Sequence, residues 1–208
     1  MNTDTTPEPA ATPTPSASRK RPKPGERRTQ ILQVLAGMLE QPGAERVTTA
    51  ALAAKLDVSE AALYRHFASK AQMFEALIDF IESSVFTMVN QITETPLPGQ
   101  AARIVSVILQ FGEKNPGMTR VMVGDALVHE HERLTARMNQ FFDRIESSLR
   151  QVLRAVAEAQ GSMTPTVQAN AQASLWVSFI IGRLHRYARS GFKRLPTEQL
   201  DAALKAIS

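Results

Sequence analysis

Side chains suited to holding a polyanion gather between positions 48 and 70, where Thr48, Thr49, Ser59, Glu60, Ala61, Tyr64, Arg65, His66 and Lys70 fall close together. The hydroxyls of Thr48 and Thr49, with the free N–H groups of a helix start, are donors of the kind that hold phosphate oxygens. A short helix face carrying Ser59, Glu60, Ala61, Tyr64, Arg65 and His66 is narrow and polar enough to enter a major groove. Catalytic chemistry has no comparable footing. No GxSxG, GxGxxG or Walker sequence occurs, so acyl transfer, dinucleotide binding and P-loop chemistry lack a motif, and the chain is read as a non-enzyme. Cysteine is absent, which excludes thiolate zinc, iron–sulfur and thiol-nucleophile chemistry. His129-Glu130-His131-Glu132 invites a metal, but histidines two apart point to different sides of a helix, unlike the i, i+4 pair of a zinc helix. A solvated helix start is expected there, with no metal and no cofactor.

Positioning such a face takes two short helices, expected over about 48–55 and 59–67 and separated by Leu56-Asp57-Val58. Both would pack on a longer helix whose Ile31, Val34, Leu35, Met38 and Leu39 follow i, i+3, i+4, i+7 and i+8 and which Pro42-Gly43 ends. That is a helix-turn-helix pattern. Leu52, Ala53, Leu56, Val58, Leu63 and Phe67 supply its core, and Ala53 allows close approach. Ser59 caps the second helix, and Ser69 with Gln72 forms a capping box opening a long helix to about 92, closed by Pro96 and Pro98. Further helices are expected over 98–114, 117–128, 130–159, 164–190 and 197–206. The third of these points Leu134, Met138, Phe141, Phe142, Ile145, Leu149, Val152, Leu153 and Val156 inward. Residues 175–181 are apolar on every side and must be covered by the chain's own core and by a second subunit. No segment alternates with period 2, so the fold class is all-α. Spacing alone fits equally well a plain helical hairpin in an all-helical core, with Tyr64 and His66 partly buried.

Charge favours the DNA-binding alternative. The net +4 of the 208 residues is uneven: residues 19–28 carry Arg19, Lys20, Arg21, Lys23, Arg27 and Arg28 against Glu26 alone, while two-thirds of the chain is nearly neutral. Attraction to a polyanion is therefore concentrated at the N-terminal end, beside the helix-turn-helix, where basic arms reach grooves and phosphates. Half of the twelve prolines lie in the first 24 residues among Thr, Ala and Ser. This composition predicts a disordered arm over 1–26, ahead of a DNA-binding domain over 27–72 and a helical dimerisation and partner-binding domain over 73–208. The start lacks the apolar core of a secretory signal, and no run approaches the roughly 18 apolar residues of a membrane span, so a cytoplasmic location without membrane contact is expected.

Residues 47–78, VTTAALAAKLDVSEAALYRHFASKAQMFEALI, closely resemble the DNA-binding domain of TetR-family regulators, with the Leu-Tyr-Arg-His-Phe and Ser-Lys elements in register. The resemblance implies a TetR-like, all-α homodimer that binds double-stranded DNA with residues up to about 70 and dimerises through its last two long helices. By match to the motif, Thr48, Thr49, Ser59, Tyr64, His66 and Lys70 lie at the DNA surface. Tyr64, His66 and Lys70 would contact phosphates, and Glu60, Ala61 and Ala62 would face base edges. The stretches FGEKNPGMTRVMVGDALVHEHERL (111–134), RMNQFFDRIESSLRQVLR (137–154) and RSGFKRLPT (189–197), with SEAALYRHF, resemble the nucleoid occlusion factors within that family, over about residues 27–205. This implies a nucleoid-associated inhibitor of division that, when bound to DNA, antagonises polymers of the tubulin-like protein FtsZ.

On the long fourth helix Met73, Leu77, Ile78, Ile81, Val85, Met88 and Ile92 share one apolar arc, and Phe80 lies about a quarter turn from its centre. An aromatic at that edge is either available to a partner peptide or covered by another helix. The resemblance implies a groove between the fourth and fifth helices that receives the FtsZ C-terminal tail, lined by Phe80, Lys114 and Asn115. Met88 and Gln110 depart from the family there, Met88 standing where it has an Arg. The rival reading is a ligand-responsive transcriptional repressor, which an empty cavity of roughly 300–1,000 Å³ with convergent polar groups would favour. Met118, Met122, Met138 and Met163 suit such a pocket or plain gap-filling in a core. Arg183, Arg186, Arg189, Lys193 and Arg194 form a late basic run, read as a solvated helix face or a set of ion pairs across a dimer.

Overall fold

A computed structural model describes residues 25–41, 47–94 and 99–207. The arm expected over 1–26 lies outside them except for Gly25 and Glu26, as do Pro42, Gly43, Pro96 and Pro98. Among the described residues the regular elements are all helices: α1 (Glu26–Leu39), α2 (Thr49–Lys55), α3 (Glu60–Tyr64), α4 (Lys70–Glu94), α5 (Gln100–Lys114), α6 (Pro116–Met122), α7 (Glu132–Ala159), α8 (Pro165–Arg189) and α9 (Leu200–Ile207).

The head is built as its apolar spacing requires. Ile31, Leu35 and Leu39 of α1 are buried against Leu52 and Ala53 of α2, Leu63 of α3 and Phe67 beyond it. Each short helix has a hydroxyl cap: Thr48 Oγ1 accepts from the Ala51 N–H at 3.1 Å and Ser59 Oγ from the Ala62 N–H at 3.3 Å. Between them the chain reverses through Asp57, whose φ of 55° is a left-handed conformation that Asp tolerates better than most residues. The second helix is shorter than the expected 59–67, ending at Tyr64. At the next start Ser69 Oγ accepts from the Gln72 N–H at 3.2 Å, while Gln72 reaches back one residue further than a standard capping box, to the Ala68 N–H at 2.9 Å.

The body hangs on α4, which runs from the head into the core and buries Met73, Phe74, Leu77, Ile78, Ile81, Val85, Val89 and Ile92. The most extensive packing is between α7 and α8, with α5 against both α4 and α8. Two expectations are corrected. The helix predicted over 117–128 is broken: α6 ends at Met122, Gly124 takes φ 87°, and a separate 3₁₀ turn covers Asp125–Leu127. Val156, placed in the inward stripe of α7, is 44% exposed, because that end of the helix borders an open cleft rather than a neighbour. Head and body meet where α6 presses on α1. Gly117 makes this possible, since a Cβ there would stand 2.0 Å from the Ala36 carbonyl oxygen.

Candidate nucleic-acid interface

The outer face of α2 and α3 carries a short chain of hydrogen bonds. Tyr64, 44% exposed, points its hydroxyl at Thr49 Oγ1 at 3.5 Å, and Thr49 donates to Glu60 Oε2 at 2.7 Å. Thr49, Glu60 and Tyr64 are thus brought together across the two helices, which fixes the aromatic ring over the helix junction. Thr48 and Ser59 sit exposed at the two helix starts, and each uses its oxygen as a cap while its hydroxyl proton remains available to an acceptor outside. Ala61 is exposed, whereas Ala62 is half-buried with its N–H engaged by Ser59.

His66 and Lys70 are held differently. His66 is half-buried, and its carbonyl accepts from the Arg28 guanidinium, which also lies 4.1 Å above the Phe67 ring. Arg28, part of the N-terminal basic cluster, therefore fastens α1 to the end of α3. The Lys70 ammonium is paired with Glu130, which sits just before α7, and lies 5.7 Å from the Phe74 ring centroid. Lys70 is expected at the DNA surface, yet in the free protein its charge is already met by a carboxylate of the body. Spacing gave no sign of this partner 60 positions away. Arg65, exposed at the end of α3, has no ion pair among the described residues and adds positive charge beside Tyr64. Its place in the Tyr-Arg-His element was the available signal.

Residues 31–77 match the family described as bacterial regulatory proteins of the tetR type, and residues 100–207 match the SlmA-like, tetracyclin repressor-like C-terminal domain. A nucleoid occlusion factor SlmA from Idiomarina loihiensis is 50% identical over 180 residues, which cover 85% of this chain and 90% of that protein. Its counterpart from Photobacterium profundum is 50% identical over 189 residues, 89% of this chain and 96% of that protein. The chain belongs to the SlmA family of TetR-type proteins. Solved structures share the fold at lower identity. The TetR-family regulator PfmR of Thermus thermophilus aligns with a TM-score of 0.69 at 20% identity, covering 86% of this chain and 94% of its own. FadR of Bacillus subtilis, solved with stearoyl-CoA, gives 0.67 at 11%, covering 86% and 96%.

Away from the head, this SlmA-family chain presents two further surfaces. On α4 Phe80 is 49% exposed, beside Asp79 and Glu82, which grip Arg137 of α7. The two carboxylates hold that guanidinium above its ordinary value despite its partial burial, so it stays charged and ties α4 to α7. Lys114 is exposed at the end of α5, while Asn115 is half-buried and donates to the Phe111 carbonyl at 2.8 Å. Phe80 stands as far before the end of α4 as Lys114 stands beyond the start of α5, so the two lie at one level of this consecutive helix pair. The second surface runs along α8 from Val167 to Gly182, where Val167, Ala171, Ser174, Leu175, Ser178, Ile181 and Gly182 form an exposed stripe of apolar and small residues. The part of 175–181 left open is this stripe, while Trp176, Val177 and Ile180 turn into the core.

Proposed function

We propose that a homodimer of this chain binds double-stranded DNA through the α2–α3 face and, when so bound, acts as a nucleoid occlusion factor. It would antagonise FtsZ polymerisation and block septum assembly over the chromosome, as a cytoplasmic, nucleoid-associated protein. The observation that carries this reading is the identity of about 50% to SlmA proteins across nearly their whole length, including the C-terminal domain. On the DNA side, Thr48, Thr49, Ser59, Tyr64, His66 and Lys70 are assigned to phosphates and Glu60, Ala61 and Ala62 to base edges, with the exposed stripe of α8 as the dimer face. On the partner side, Phe80, Lys114 and Asn115 are assigned to the FtsZ tail; the exposed ring of Phe80 and its level with Lys114 support this. The middle of the body is filled: Phe74, Ile81, Val85, Ile104, Ile108, Phe141, Ile145, Ile180 and Leu184 are all at most 1% exposed. A filled core favours control by a macromolecular partner over a buried effector.

One feature favours the second reading, a ligand-responsive repressor. A cleft of about 380 Å³ lies between the start of α5, the end of α7 and the start of α8, lined by Gln100, Gln160, Gln168, Gln172 and Trp176. The buried indole Nε1 of Trp176 has no hydrogen-bond partner. Genome-wide mapping of bound DNA separates the two. Many sites scattered over the chromosome and absent near the replication terminus are expected for nucleoid occlusion, and occupancy of a few promoters alone would replace it with the repressor.

A further inference from the structure

The late basic run is not a uniform solvated face, and within one protomer its cations form no ion pairs among the described residues. Arg183 and Arg186 near the end of α8, with Lys193 and Arg194 from the turn after it, line one open cleft of about 640 Å³ together with Leu195, Glu198 and Gln199. Four cations thus face a single carboxylate. Arg183 donates to the Glu198 backbone carbonyl at 2.7 Å, and none of the four cations has an ion pair among the described residues. Burial, and then the neighbouring charge of Arg186, pull the Arg183 guanidinium below its ordinary value, with Glu198 offsetting only part of this.

The turn that presents Lys193 and Arg194 is held in place at some conformational cost. Gly191 and Phe192 both have positive φ, 62° and 63°, and a left-handed conformation is unfavourable for an aromatic residue. Three contacts over-determine it. The Phe192 ring packs edge-on against Tyr187 at 5.1 Å, the buried Arg120 guanidinium lies 5.1 Å from the same ring, and Ser190 Oγ accepts from the N–H groups of both Lys193 and Arg194 at 3.1 and 2.9 Å. Tyr187 is itself anchored, donating to the Glu113 carbonyl at 3.1 Å, and burial raises its phenol so that it remains the donor. The Arg186, Tyr187 and Ala188 carbonyls at the end of α8 already accept from the N–H groups of Ser190, Phe192 and Gly191. The cations are therefore not needed to cap the helix.

We propose that this cleft binds a small polyanion bearing two or three linked phosphates, with Arg183, Arg186, Lys193 and Arg194 as its cationic wall. The excess of four cations over one carboxylate matches the charge of a diphosphate or triphosphate. The volume is that of a small-molecule site. Leu195 and Gln199 are left for any organic part the molecule carries.

Calorimetric titration of the full-length protein with inorganic pyrophosphate and with ATP, without divalent metal, tests this. One pyrophosphate per protomer is expected, more tightly held than orthophosphate and weakened by salt. ATP binding equally would indicate that phosphates alone are read, and ATP binding more tightly would add contacts at Leu195 and Gln199. The double variant Arg186→Ala/Arg194→Ala should bind pyrophosphate at least about tenfold more weakly with unchanged helicity and dimer mass. Phe192→Gly removes no charge and keeps the turn's φ accessible, and should weaken binding about threefold by loosening the turn. No binding of either anion at millimolar concentration, or undiminished binding by the double variant, would overturn the proposal. So would dissociation of the dimer in the double variant, which would mean that the cluster pairs with the partner's carboxylates.

Discussion

Tyr64 and Lys70 are six residues apart in one motif, yet the free protein prepares them in opposite ways. Tyr64 is exposed and held by a single long hydrogen bond to Thr49, whereas Lys70 is paired with Glu130, so on the proposed reading the tyrosine gives up little to meet a phosphate and the lysine must first leave its carboxylate. A single set of DNA titrations should separate the two roles. Tyr64→Ala should lower affinity for cognate and unrelated duplexes alike, by about 1–2 kcal/mol, since a phosphate contact carries no sequence information. Glu130→Gln should raise affinity and steepen the plot of log K against log salt by up to about 0.9, the value of one added phosphate contact. Unchanged affinity and slope in Glu130→Gln would remove Lys70 from the interface. The pair is part-buried, so the thermal unfolding midpoint of Glu130→Gln is measured alongside, and an unchanged midpoint ties the change in binding to the freed Lys70. At this scale the sequence was informative wherever chemistry is local: the caps at Ser59 and Ser69 follow from residue type and spacing. The bonds Thr49–Glu60 and Lys70–Glu130 depend on how helices cross, which spacing does not encode.

Among the elements, periodicity revealed the long helices because each buries a wide apolar arc, as Met73 to Ile92 of α4 do. It failed where backbone conformation outweighs pattern. The segment after Met122 keeps a helical rhythm in Val123, Ala126 and Leu127, but Gly124 adopts a left-handed turn and redirects the chain. Val156 keeps the α7 rhythm but outruns its neighbours. The junction of α1 and α6 rests on one missing Cβ, at Gly117, packed against rigid backbone. Gly117→Ala should force the helices apart and cost about 1–3 kcal/mol, the usual penalty of overpacking, visible as a lowered midpoint in thermal unfolding. Because this contact links head to body, DNA affinity should fall with it; an unchanged midpoint would show that α6 can shift freely on α1.

At the scale of the whole molecule, the net charge of +4 matters less than its position beside the helix-turn-helix on a nearly neutral helical body. The motif at 47–78 made the family legible, and the helical repeat made the fold class legible. The basic cleft was hidden, because its four cations converge only when the turn at Gly191 and Phe192 folds back. Residues 175–181 were legible as apolar all round, and the side of them left open, at Leu175 and Ile181, is the face proposed for the dimer. Leu175→Glu, a charge on the exposed stripe of α8, should shift sedimentation toward the monomer and reduce binding to a two-fold symmetric site, because two heads then no longer act as one. The central claim joins the two ends of the molecule, and one measurement addresses both: sedimentation of GTP-assembled FtsZ with the protein, with and without a duplex taken from its bound sites. Polymers should be lost when the duplex is present and persist when it is absent, and Phe80→Ala should bind the duplex normally yet spare the polymers. Intact FtsZ polymers at saturating wild-type protein–DNA complex would contradict the account.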